Sequence, residues 1–254
     1  MTANTTCIEQ FDKASPYEQE NIFSQRSNGS RNRSKSRSIN LAPSSLSFLI
    51  DCPACLRNKM LYDICQPSIP FAYLISSVNS LVAEHFQGKH TSSLDLEIPP
   101  GVFKGSETWI RSKSSMVPDS SLEWYINGRI DTLVEFEDGT YGIIDFKTSR
   151  AGAHKDKYSR QLHAYAYAFM NPELRSEFKE ITELGLIYVN PKKGYNGNRG
   201  LPIDWELTYE EVELDLEAFE EFLEIPFEII AAEKEPQHSK ECSWGKYLNK
   251  LEVN

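Results

Sequence analysis

Two short runs place charged side chains where the surrounding residues call for burial. Gly128-Arg129-Ile130-Asp131 and Asp145-Phe146-Lys147-Thr148 each carry a carboxylate inside sequence rich in Ile, Val, Leu and Phe. A buried carboxylate is costly unless it is paired or bound to a cation. Two carboxylates brought together offer hard oxygen ligands that suit Mg²⁺ or Mn²⁺, and a neighbouring lysine can act on the water or phosphate such an ion holds. A second group of chemically capable residues lies elsewhere. Cys52-Pro-Ala-Cys55 has the spacing of a metal knuckle, and His238-x-x-x-Cys242 follows near the far end of the chain.

Whether the two aspartates meet depends on a turn. The β-rich runs Ser121–Phe136 and Thr140–Ser149 are divided by Glu137-Asp138-Gly139, a hairpin signal. A two-residue loop at Asp138-Gly139 puts Asp145 across from Thr132 and Asp131 across from Phe146, on opposite faces. A three-residue loop, with Gly139 left-handed after a type I turn, puts Asp131 directly opposite Asp145, with Lys147 two residues further along the same face. Gly139 favours the three-residue loop, which leaves Ile144 and Phe146 to anchor the other face. Two such carboxylates about 5 Å apart repel by roughly 3 kcal/mol at an effective dielectric of about 20, which either a divalent cation or an exposed face with a salt bridge to Lys147 would offset.

The elements around the hairpin follow from periodicity. Ser44 or Ser45 can cap a short helix carrying Leu46, Leu49 and Ile50. Pro70 opens a helix with apolar residues at 71, 74, 75, 78, 81, 82 and 86, and His85, four residues after Leu81, falls on that stripe and is expected to point inward. The span 88–121 is loop-rich, with a strand near Glu107–Arg111. A helix over Tyr158–Met170, a strand over Glu183–Pro191 and an acidic helical region from Tyr209 to Ala232, broken near Pro226, complete the order. The fold class expected is α/β: a mixed β-sheet core flanked by helices.

These blocks, Gly128 to Asp131, Asp145 to Thr148, and Gln161-Leu162-x-x-Tyr165, resemble the PD-(D/E)xK nuclease superfamily, and in particular its RecB-like branch, which includes the CRISPR adaptation nucleases. The resemblance spans roughly residues 41 to 191 and implies a restriction-endonuclease-like fold. It also implies hydrolysis of DNA phosphodiester bonds in repair, recombination or defence. By the same resemblance Asp131 and Asp145 are the metal-binding carboxylates, Lys147 is the catalytic lysine, and the carbonyl of Phe146 completes the metal shell. His85, with Glu84 as its rival, corresponds to the additional ligand that RecB-like members carry on an early helix. Gln161 and Tyr165 correspond to the helix approaching the scissile nucleic acid. A catalytically silent nuclease-fold subunit that holds DNA or protein, and an RNA-directed nuclease, are the alternatives.

RecB-like relatives hold an iron-sulfur cluster with one cysteine before the nuclease core and three after it. Here Cys52, Cys55 and Cys65 come before and Cys242 after, so three readings stay open. One is an iron-sulfur cluster on the four cysteines, another a Zn²⁺ site of Cys52, Cys55, His238 and Cys242, and the third is ordinary buried thiols.

Charge is divided unevenly. The net charge is −10, yet residues 201–241 hold 14 acidic and 2 basic residues and suggest a protein partner. Lys147, Arg150, Lys155, Lys157 and Arg160 form a basic run with Asp156 as its sole acid; Arg150, Lys155, Lys157 and Arg160 are candidates for binding the phosphates of DNA. Residues 1–40 read as a disordered Ser/Arg-rich basic tail, followed by a single domain over 41–254. No run is apolar enough to span a bilayer and the N-terminus has no secretory pattern, which implies a cytoplasmic protein without a membrane partner.

Overall fold

Alternating apolar residues over two adjacent runs give the sheet its centre. In the computed structural model, which describes residues 38–65, 72–173, 180–195, 200 and 202–252, strands β1 (Ser38–Asn40), β2 (Gly101–Arg111), β3 (Ser115–Met116), β4 (Glu123–Tyr125), β5 (Asn127–Phe136), β6 (Tyr141–Lys147), β7 (Ile181–Gly194) and β8 (Ile203–Val212) form two sheets. The main sheet has the order β2-β5-β6-β7-β8. Only β6 and β7 run parallel in it, because helix α4 (Lys155–Met170) makes the crossover between them. The small sheet β1-β4-β3 draws in Ser38–Asn40, with Ile39 buried. The rest of the basic tail lies outside the described residues.

Helices α1 (Pro43–Phe48), α2 (Pro53–Tyr62), α3 (Ala72–Phe86), α5 (Leu216–Phe222), α6 (Glu224–Ala231) and α7 (Ser243–Glu252) surround the sheets. The period-2 alternation of β6 divides the core. Ile143 joins Leu162, Tyr165, Ile130 and Leu46 beneath α4 and α1, whereas Ile144 and Phe146 turn the other way and join Phe86, Phe103 and Val134. On that second side the Phe86 ring stacks on Phe146 with centroids 5.0 Å apart. Each buried Phe contributes about 1.5–3 kcal/mol, so this contact fixes α3 against the sheet.

Three local expectations differ from the structure. Helix α1 starts with Pro43 at its first position and Ala42 as cap, with no side-chain capping bond from Ser44 or Ser45. The inward face of α3 holds Val82 and Phe86 of the expected stripe together with Ala83, while Leu81 is 65% exposed and His85 lies at the surface; the side chains before Ser77 lie outside the described residues. The acidic region expected to be helical from Tyr209 contains strand β8, whose Leu207 and Tyr209 pack on the second core. The helix break falls at Leu223, and Pro226 is accommodated in the first turn of α6. Among the described residues no helix is long and apolar enough to cross a membrane.

Candidate active site

The turn between β5 and β6 sets the site. Gly139 N–H donates to the Phe136 carbonyl at 3.0 Å, Phe136 N–H donates to the Thr140 carbonyl at 2.9 Å, and Gly139 is left-handed at φ 86°. The loop is therefore Glu137-Asp138-Gly139, a type I turn closed by a glycine bulge. The ladder pairs Glu135 with Tyr141, Leu133 with Ile143 and Thr132 with Ile144, and its next position sets Asp131 opposite Asp145. A register shift in β2 between Lys104 and Ser106 lies across from Thr132, beside Asp131, where Thr132 Oγ1 donates to the Lys104 carbonyl at 3.1 Å.

Asp145 is buried and forms an ion pair with Lys147. Its Oδ2 is enclosed and meets the ammonium directly. Asp131 Oδ2 accepts the Phe146 N–H at 3.3 Å. Burial, then the charge of Asp145 and the carboxyl-carboxyl contact, hold Asp131 well above the usual aspartate range, against the lowering effect of Lys147 and the Phe146 amide. Burial pulls Lys147 down, but Asp145 and Asp131 outweigh it and hold the lysine above its ordinary value. It remains a cation.

Helix α4 completes the polar cluster. Lys147 Nζ donates to Gln161 Oε1 at 3.2 Å, and Gln161 Nε2 donates to the Tyr165 hydroxyl at 3.1 Å. Burial and then the negative charge of Asp145 push the Tyr165 hydroxyl upward. Gln161 and Tyr165 are both buried, so they order the lysine rather than present themselves at the surface. Tyr158, which is not among the residues expected at the site, places its ring 4.3 Å from Lys147 Nζ. Its spacing, three residues before Gln161 and seven before Tyr165, was the available signal for a shared helix face. Gly128 is needed for close approach: a Cβ there would lie 3.0 Å from both Pro43 and the Tyr165 ring.

The remaining expected site residues separate. His85 is exposed; its Nε2 lies 2.7 Å from Lys89 Nζ and its ring sits edge-on to Phe86. Among the described residues His85 forms no three-donor set with the aspartates, because it lies on the solvent edge of α3 while Phe86 fills the core; Glu84 is exposed as well. Three of the four candidate phosphate-binding cations are engaged within the chain. Lys157 and Arg160 pair with Asp51 at 2.7 and 3.3 Å, and Lys155 pairs with Glu210 at 2.9 Å. Asp51 is held below the usual range by its bond to Lys157, against a smaller opposing effect of burial. Arg150 is exposed.

The sulfur-bearing residues do assemble. Cys52, Cys55, His238 and Cys242 bring their donor atoms within 4.8 Å of one another, and Cys65 is not part of the group. Burial pushes the Cys52 thiol up, but the amides of Cys55 and Ser239 and the His238 ring outweigh it and bring it to about 6.

The two opposed carboxylates, brought together in a buried setting where only one of them pairs with Lys147, are a donor set that fits a hard divalent cation. Comparison with known proteins agrees with this chemistry. A family model described as the PD-(D/E)XK nuclease superfamily matches residues 74–248, a span that includes Asp131, Asp145, Lys147, Gln161 and Tyr165. A solved structure described as "Crystal structure of SSO0001" is similar at a TM-score of 0.47 and 17% identity, covering 91% of each chain. Among curated proteins none matches the chain.

Proposed function

Because the chain belongs to the PD-(D/E)XK nuclease superfamily, we propose that it is a divalent-metal-dependent nuclease of the RecB-like type that hydrolyses DNA phosphodiester bonds. The observation that carries this reading is the three-residue hairpin loop, whose register sets Asp131 opposite Asp145 with Lys147 paired alongside. Asp131, Asp145 and the Phe146 carbonyl would hold Mg²⁺ or Mn²⁺. When bound, the cation supplies an activated water and offsets charge on the phosphate oxygens.

The chain's own residues account for the rest. Asp145 is paired with Lys147, and Asp131, held above the usual aspartate range, would give up its proton on binding a cation. Lys147, held as an ammonium by two carboxylates, acts as a fixed positive charge toward the phosphate rather than as a base. Gln161 and Tyr158 restrict where that ammonium can point. Arg150 is exposed and is the candidate for a flanking phosphate.

A second reading, a nuclease-shaped subunit that binds without cutting, draws on the opposite end of the sheet. Strand β8 is an edge strand in which acidic residues accompany Ile203 and Trp205, 37% and 43% exposed, a surface suited to a protein partner. Incubating single- and double-stranded DNA with the protein, with and without Mn²⁺, alongside Asp145→Ala, separates the two. Mn²⁺-dependent cleavage lost in the variant supports the enzyme; cleavage that survives the substitution, or its absence under every condition, overturns it.

A further inference from the structure

A second metal centre follows from how three sulfurs surround one nitrogen. His238 Nδ1 lies 3.4 Å from Cys52 Sγ, 3.5 Å from Cys55 Sγ and 3.6 Å from Cys242 Sγ, and Cys55 Sγ lies 3.6 Å from Cys242 Sγ. Hydrogen bonding does not account for this convergence, because a neutral imidazole offers a single acceptor lone pair and can satisfy one thiol. A shared cation does. A tetrahedral Zn²⁺ with bonds of about 2.3 Å to sulfur and about 2.0–2.1 Å to nitrogen places its ligand atoms about 3.5–3.8 Å apart, and all the measured separations fall at or within 0.1 Å of that interval.

The same distances argue against an iron-sulfur cluster. A cluster separates its thiolates by a body of irons and inorganic sulfides, whereas here Cys55 and Cys242 are in van der Waals contact, and Cys65, the fourth cysteine such a cluster needs, is outside the group. We infer that Cys52, Cys55, His238 and Cys242 form a mononuclear structural zinc site that staples the N-terminal helix α2 to the segment leading into α7.

The surroundings are built for it. Cys52 precedes α2 and Cys55 lies in its first turn, so Cys-Pro-Ala-Cys directs both sulfurs to one side of the helix start. Cys242 immediately precedes α7. Backbone amides support two of the sulfurs: Ser239 N–H donates to Cys52 Sγ at 3.5 Å and Gly245 N–H donates to Cys242 Sγ at 3.3 Å, the outer contacts that fix metal ligands in place. Gly245 also makes room for the histidine, since a Cβ there would come within 2.5 Å of His238 Cβ. Four protein ligands leave no open position, so the centre is structural rather than catalytic. The staple acts beside another tie between the chain's ends, in which Arg57 donates to the Ala232 carbonyl at 2.5 Å.

The test is metal analysis of the full chain purified without added metal, by plasma mass spectrometry together with visible absorption. One zinc per chain in a colourless sample is expected. Replacement by Co²⁺ is expected to give the strong visible bands of a tetrahedral thiolate site. His238→Cys preserves four soft ligands and should retain one zinc, Cys65→Ser should leave zinc unchanged, and His238→Ala and Gly245→Val should lower zinc occupancy at least tenfold in a competing chelator. Because Gly245→Val could unfold the region by itself, His238→Cys serves as the folded control. Iron with acid-labile sulfide and a brown sample would overturn the site, and so would folded wild-type protein that fails to take up stoichiometric Zn²⁺. Neither result depends on nuclease activity.

Discussion

Replacing Asp131 by Asn should make the metal-free protein more stable. The wild-type chain holds two carboxylates face to face, and at about 5 Å with an effective dielectric of about 20 their repulsion is about 3 kcal/mol. Lys147 offsets part of it through its ion pair with Asp145, and the substitution leaves that pair intact while removing the surplus charge. The net gain should be about 1–2 kcal/mol, or a rise in Tm of roughly 2–8 °C for a chain of this size. The gain should also depend on pH. Asp131 is held above the ordinary aspartate range, so between its unfolded and folded pKa the native state binds the extra proton and wild-type stability falls as pH rises. The difference between variant and wild type should therefore be small near pH 4 and grow toward neutrality. The assay is thermal unfolding of both proteins in the same chelator across pH, where any contribution of the cysteine centre cancels. With Mn²⁺ added, wild type should gain stability and Asp131→Asn should not. A variant that is no more stable than wild type in chelator at neutral pH would refute the opposed-carboxylate geometry.

Other consequences can be measured in the same preparations. Lys147→Ala leaves Asp145 buried without its partner and should cost about 3–5 kcal/mol in denaturant unfolding, in addition to abolishing cleavage. Gly139→Val forces a β-branched residue to φ 86° and should destabilise by about 1–3 kcal/mol, with loss of Mn²⁺ affinity as the hairpin register loosens. Asp51→Asn releases Lys157 and Arg160 and should tighten DNA binding several-fold at low salt, with a steeper dependence of affinity on salt concentration; unchanged affinity would show that these cations face away from the nucleic acid.

The parts of the site legible in the sequence are those fixed by neighbours in the chain. Gly139 specified a turn, the turn specified the register, and the register brought Asp131 to Asp145; period-2 alternation then assigned Ile144 and Phe146 to the far core. Where two local signals competed, composition misled. The glutamates of residues 206–213 favour a helix, but Trp205, Leu207 and Tyr209 alternate with polar residues, and β7 supplies the partner that makes the strand. The stripe of α3 predicts Val82 and Phe86 inward correctly but also Leu81 and His85, because Leu81 and Val82 are both apolar and the sequence alone does not say which edge of the stripe packs on Phe146. Pairings across the fold had less local signal. Nothing near Lys157 indicates that Asp51 neutralises it, whereas the spacings Cys52-x-x-Cys55 and His238-x-x-x-Cys242 already offered the set that the fold assembles, and the fold was needed to prefer it over one with Cys65.

Electron paramagnetic titration of Mn²⁺ into the wild-type chain and Asp145→Ala addresses the central claim without relying on turnover. A site saturating in wild type and lost in the variant is the expected result. Equal Mn²⁺ uptake by both proteins would contradict the assignment of the Asp131–Asp145 pair as the metal centre.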